Sequence, residues 1–258
     1  LSAYGKPIYL NNFKKMIIYK NGNLFNNFNT KHKAAIDKMR KKVGRFKREN
    51  LAASVQIHLE REFKKFVEYW MGKTKKKNIV LAGGLFSNVK LNQIIHEIEN
   101  VEYINIHPHM GDGGIALGAI LAFLKPKPFF VDHVYFGVDY SDEEIEKVLK
   151  REKLNYKHLD SIEKEVALLL SKGRIVARFD GKMEYGPRAL GSRSILYQTT
   201  DPTVNDWLNK KLNRTEFMPF APVTLKEFGD KCYENIKGAE IPSKFMIITL
   251  NCTNYMKK

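Results

Sequence analysis

The chain has 258 residues, 43% of them hydrophobic, and a formal charge of +16 from 44 Lys and Arg against 28 Asp and Glu. That length holds one large or two ordinary domains, and that apolar content excludes a disordered polymer. No run of eighteen apolar residues occurs, which excludes a helical membrane span.

Leu1 to Gly5 lacks the basic region and apolar core of a secretory signal, and the absence of an initiator Met suggests an excerpt of a longer chain. Basic residues crowd the stretch from Lys31 to Arg48, and Lys73, Lys75, Lys76 and Lys77 form a second group. Such charge suits a nucleic-acid partner. A solvated helix face is the favoured reading, because no aromatic-interleaved binding motif accompanies the lysines. Residues 31–72 read as helix, with Gly44 as a break and Gly72 as a stop. Leu51, Ala52, Val55 and Leu59 share one face, and Phe63, Phe66, Val67 and Trp70 continue it. A lone His58 beside that stripe reads as structural rather than as a ligand.

The run 78–82 suits a buried parallel strand. Gly83-Gly84 follows, then a helix over 88–99 with Leu91, Ile94, Ile95 and Ile98 on one face. A second strand spans 103–106, followed by Gly111-Asp112-Gly113-Gly114 and an apolar helix over 115–124. Strand, glycine turn and helix, repeated, make an α/β unit that binds ligands at the carboxyl ends of its strands. The pair Pro126 and Pro128 marks a boundary, giving segments 1–127 and 128–258. Ser141 with Asp142, Glu143 and Glu144 reads as a capped helix start. A further helix spans about 161–172 and ends at Gly173. Residues 174–179 read as a buried strand leading into the densest motif of the chain.

That motif is Gly181 to Ser194: three cations, three glycines, a proline and one carboxylate. Glycines let the backbone approach a ligand, guanidinium groups fork onto phosphate or carboxylate oxygens, and a lysine adds a point charge. The combination reads as an anion-binding loop. Arg214, with the Phe217–Pro222 segment, makes an apolar wall and a further cation, equally readable as loop packing. Gly83-Gly84 before Asn88 offers helix-start N–H groups to a phosphate or sugar, or simply punctuates the chain. Asp112 reads as an N-cap first and as a metal or ribose contact second. His107 and His109 flank Pro108 and are not assigned as ligands. Cys232 and Cys252 make no CxxC or metal spacing, which leaves a reducing cytoplasm as the simplest compartment.

Five stretches in this order resemble the O-carbamoyltransferase family that includes the nodulation protein NodU and the tobramycin and cephamycin carbamoyltransferases. They are residues 1–7, 82–88, 111–119, 182–196 and 217–222, and the run Glu184 to Ser194 is the most specific. The resemblance implies an α/β fold: the C-terminal half of an actin- or sugar-kinase-like ATPase module, then the first part of a YrdC-like module. It implies that the second module makes carbamoyl adenylate and pyrophosphate from carbamoyl phosphate and ATP. The first then transfers the carbamoyl group to a small-molecule hydroxyl as AMP leaves. By position, Lys182 and Arg188 would bind carbamoyl phosphate and the nucleotide phosphates, with Arg193 and Arg214 in support. Gly83, Gly84 and Asn88 would line the nucleotide pocket. Asp112 would bind a metal, expected to be iron, and magnesium would accompany ATP. The family's upstream histidine pair and downstream arginine-rich segment are not in this sequence, so the chain alone is expected to complete neither reaction. A hydrogenase-maturation carbamoyltransferase and a basic nucleic-acid-binding module are the rival readings. Acceptor and oligomeric state stay open.

Overall fold

A computed structural model describes residues 1–27, 29–30, 32–198, 200–201, 203–213 and 219–257. A short helix, α1 (Leu10–Phe13), leads into an antiparallel hairpin of β1 (Ile17–Lys20) and β2 (Asn23–Asn26). Asn21 and Gly22 both take positive φ, at 50° and 80°, which suits the right-handed twist of a two-residue hairpin turn. A basic helix, α2 (His32–Val43), follows, and the hairpin packs on the long helix α3 (Arg48–Thr74). Trp70 donates its indole N–H to Gly22 O at 2.9 Å, and His58 Nε2 meets Ile17 O at 2.8 Å. His58 is therefore bonded to the hairpin backbone, as a structural histidine is expected to be. Glu62 receives Tyr19 N–H at 3.0 Å and pairs with Lys65. Burial alone would raise its carboxyl pKa, but the Lys65 and Tyr19 bonds outweigh that and lower it.

Gly72 does not stop α3. The helix runs to Thr74, and Lys75 takes the left-handed position (φ 58°) with its N–H on Met71 O. The strands β3 (Asn78–Leu81) and β4 (Tyr103–Ile106) pair in parallel, Leu81 opposite Ile106. Between them lies α4 (Val89–His96), shorter than the 88–99 helix expected because Asn88 serves as its N-cap and Glu97 as its C-cap. α5 (Ile115–Leu124) follows β4, so the strand–turn–helix repeat is present. Only Leu81 of β3 is buried, while Val80 is 77% exposed, and no residue of α5 is buried. Val80 and Asn105 on that side of the sheet share an open cavity with Leu117 and Leu121 of α5 and with Phe129 and Phe130.

Beyond the prolines stand α6 (Asp142–Arg151), α7 (Ile162–Ser171), the antiparallel pair β5 (Val176–Phe179) and β6 (Arg193–Leu196), then α8 (Val204–Lys211), α9 (Gly229–Cys232) and α10 (Glu240–Lys244). Ser141 and Glu144 form a capping box on α6. Ser161 makes no side-chain cap on α7. β5 is not the buried strand expected: it belongs to a two-stranded ribbon and Phe179 is half exposed. The main core joins α4, β3 and β4 to the C-terminal segment, with Leu91, Ile95, Ile104, Ile106 and Ile247 fully buried. Asn92 crosslinks this junction by donating to Phe86 O at 2.8 Å and Ile247 O at 2.7 Å. Gly238 O accepts from Ile104 N at 2.9 Å, which seats the C-terminal segment beside β4. No described helix is long and apolar enough to cross a membrane.

Candidate anion site

The loop between β5 and β6 is organised by one carboxylate. Glu184 is buried, and its Oε1 accepts the N–H groups of Leu190 and Ser192 at 2.8 Å and of Arg193 at 3.2 Å. Burial by itself pushes a carboxyl pKa up, but these backbone donors outweigh it and hold Glu184 below the usual carboxylate range. Three amides converging on one oxygen force the Gly186–Gly191 segment to turn back on itself. Gly186 (φ 119°) and Gly191 (φ 116°) supply backbone angles that L side chains rarely adopt.

The cations then divide by role. Arg178 donates Nη1 to Gly191 O at 2.8 Å and pairs through Nη2 with Asp180. Arg193 donates Nη1 to Ser192 O at 2.9 Å and to Asp180 O and Gly181 O at 3.1 Å, while its guanidinium lies 3.6 Å over the Phe179 ring. Both arginines tie the loop together. Arg188 differs: its Nε is buried and has no hydrogen-bond partner among the described residues. A desolvated, unmatched donor on a cation is costly unless an acceptor arrives. Lys182 stands exposed at the mouth of the loop. Arg214, Phe217 and Met218 lie outside the described residues.

The loop docks on the segment that follows α5 and on the two histidines that follow β4. Tyr185 N donates to Val134 O at 2.6 Å, and Tyr135 Oη donates to Leu190 O at 2.9 Å. The Tyr185 hydroxyl shares a hydrogen bond with His107 Nε2 at 3.1 Å. The Tyr185 ring meets His107 edge-on at 5.9 Å and His109 at 5.1 Å. Burial lowers the His107 pKa, with the neighbouring His109 adding to the effect, and burial raises that of Tyr185. His109 in turn fills the space over the glycine turn: a Cβ on Gly113 would lie 2.0 Å from its Nε2, and one on Gly114 would lie 2.1 Å from its carbonyl oxygen.

Gly83 and Gly84 lie beside that turn. Gly83 (φ 117°) donates its N–H to Met110 O at 2.7 Å, and Gly84 Cα lies 3.9 Å from where a Gly111 Cβ would be. Asn88 accepts Leu91 N–H at 3.0 Å and exchanges amide bonds with Gln56 at 2.8 and 3.2 Å. Asp112 is exposed and begins a 3₁₀ turn, with Gly111 rather than Asp112 in the capping position. Among the described residues no group of three or more His, Cys, Asp and Glu side chains is placed to hold a metal. Asp112 alone does not make a metal site. The structure thus places Lys182 and Arg188 on the β5–β6 loop with Arg193 at the start of β6, and Gly83, Gly84 and Asn88 at one turn. Glu184 as the clamp and Tyr185 as the docking side chain escape the sequence reading. A single carboxylate amid cations was the available signal for the first.

Two family profiles match the chain: the carbamoyltransferase N-terminus over residues 4–121 and the carbamoyltransferase C-terminus over residues 167–258. An uncharacterized protein of Methanocaldococcus jannaschii is 34% identical over 91% of this chain and 41% of its own length. Nodulation protein NolNO of Sinorhizobium fredii is 31% identical over 72% of this chain and 28% of its own length. Nodulation protein U of Rhizobium fredii is 30% identical over 58% of this chain and 25% of its own length. The chain therefore spans well under half of these relatives. Both profiles in their order, and a site built on the most specific of the shared stretches, lead to one conclusion: the chain belongs to the O-carbamoyltransferase family.

Proposed function

We propose that this chain forms part of an O-carbamoyltransferase working through carbamoyl adenylate, with the β5–β6 loop as its carbamoyl-phosphate and ATP phosphate site. Segment 128–258 belongs in this reading to a YrdC-like adenylating module, and segment 1–127 to an ATPase-like transfer module. Water and carbamoyl phosphate give carbamate and phosphate. A carbamate oxygen attacks the α-phosphorus of ATP, the bond to the bridging oxygen breaks, and pyrophosphate leaves. An acceptor hydroxyl then attacks the carbamoyl carbon, loses its proton, and AMP leaves. Lys182 and Arg188 offset the charge that develops on the phosphate oxygens, and Arg193 and Arg214 support them. Gly83, Gly84 and Asn88 shape the nucleotide turn of the transfer module. Asp112 and its iron, and the magnesium accompanying ATP, stay with the complete protein.

The observation that carries this reading is the buried Nε of Arg188, without a hydrogen-bond partner among the described residues, beside Arg178 and Arg193, which are spent on backbone and carboxylate. A phosphate oxygen is the acceptor that such a donor lacks. The test is ATP–pyrophosphate exchange by the full-length protein. Exchange that requires carbamoyl phosphate supports the reading, and exchange that ignores it, or none with both substrates saturating, defeats it.

A further inference from the structure

We infer that Tyr185 is a positioning residue that couples occupancy of the β5–β6 loop to the Gly111–Gly114 turn, acting through His109 and His107. This rests on the anion-site reading above. Tyr185 stands one residue from Gly186, on the chain that carries Arg188, and its ring projects away from the loop onto the two histidines. Its backbone N–H is fixed on Val134 O, so the peptide cannot swing freely and a shift of the loop is expressed at the ring. On the far side, His109 is trapped. Its Nδ1 is buried without a hydrogen-bond partner among the described residues, so packing sets its position. The missing Cβ of Gly113 is what admits its ring, Nε2 lying 2.0 Å from that position, and the missing Cβ of Gly114 leaves room for its carbonyl oxygen at 2.1 Å. Close-packed rings with no slack transmit displacement rather than absorb it. Gly186 adds a second contact, its Cβ position lying 3.3 Å from Pro108 O. A phosphate drawn onto Arg188 and Lys182 thus presses Tyr185 against His109, and His109 against the turn that begins the transfer-module helix α5. The two half-reactions would share one mechanical junction, which readies the transfer turn only when the adenylating loop is filled.

The test is hydrogen–deuterium exchange on the full-length protein with carbamoyl phosphate alone, which in this reading touches only the loop. Wild type is expected to show slowed exchange over residues 186–193 and, at least fivefold, over 111–118. In Tyr185→Ala the loop stays protected and the effect on 111–118 falls below twofold. Tyr185→Phe, which keeps the ring against His109, restores more than half of it. That rescue is a readout that a merely structural tyrosine would not produce, and it stands even where the alanine variant folds poorly. Protection of the loop with no change over 111–118 in wild type, or equal protection of 111–118 in all three proteins, overturns the coupling and leaves the anion site intact. No protection of the loop in wild type defeats the anion-site reading and the coupling with it.

Discussion

Glu184 is the residue whose loss should be felt most sharply at the site. Its Oε1 holds three backbone N–H groups at 2.8, 2.8 and 3.2 Å in a buried position. Hydrogen bonds to a charged acceptor contribute roughly 1.5–3 kcal/mol against about 1 for a neutral one. Glu184→Gln keeps an acceptor oxygen but drops the charge, so about 3 kcal/mol of loop stability is lost once sharing of one oxygen is discounted. At 1.4 kcal/mol per tenfold, that opens the loop roughly 100-fold more often. Exchange of the Leu190, Ser192 and Arg193 amides at pH 7 reads this directly. The pH dependence has a definite sign. A carboxyl whose folded pKa is depressed contributes stability that is present above its unfolded pKa, about 4.3, and lost as pH falls through the folded value. The gap between wild type and Glu184→Gln in urea unfolding should therefore be full from about pH 5 upward and shrink progressively as the pH falls below the unfolded pKa and through the lower folded one. Exchange of the three amides unchanged within twofold in Glu184→Gln would refute the clamp.

Four other substitutions test the surrounding frame. Gly114→Ala places a methyl 2.1 Å from His109 O, a backbone atom that cannot rotate away, so a loss of about 1–3 kcal/mol is expected in urea unfolding. Asn92→Ala strands the Phe86 and Ile247 carbonyls in the core and should lower the thermal midpoint by several degrees, at a cost of about 2–4 kcal/mol. Lys75→Gly relieves a left-handed residue at the end of α3 and should raise stability by about 0.5–1 kcal/mol, whereas Gly72→Ala, inside the helix, should not destabilise it.

The sequence makes the strand–turn–helix units legible because short apolar runs bounded by glycine have few other readings. Asn78–Leu81 and Tyr103–Ile106 are strands, and Ser141 with Glu144 caps a helix by local chemistry alone. The end of α3 is not legible in the same way: Gly72 has the composition of a helix stop, while the left-handed position falls to Lys75 three residues later. The β1–β2 hairpin went unread despite Asn21-Gly22, because its partner is α3, tied through Trp70 and His58 over more than forty residues of chain. β6 was hidden inside the glycine-rich motif, whose composition argues for loop rather than strand. The site shows the same division. Cation density marks an anion loop, but which arginine is free depends on Glu184 gathering three amides and on Arg193 lying over Phe179. Contacts between residues 185 and 107–109 belong to tertiary packing and leave no local pattern to read.

In the proposed function, Arg188 and Lys182 bind the phosphates of the adenylation step. Carbamoyl-phosphate-dependent pyrophosphate release by the full-length protein, compared among wild type, Lys182→Ala and Arg188→Ala, tests it most directly. Loss of one charged hydrogen-bonding partner at a transferring phosphate corresponds to about 3 kcal/mol, so each variant should fall at least 100-fold in kcat/KM with its thermal midpoint preserved. Wild-type rates of release in both variants would contradict the account.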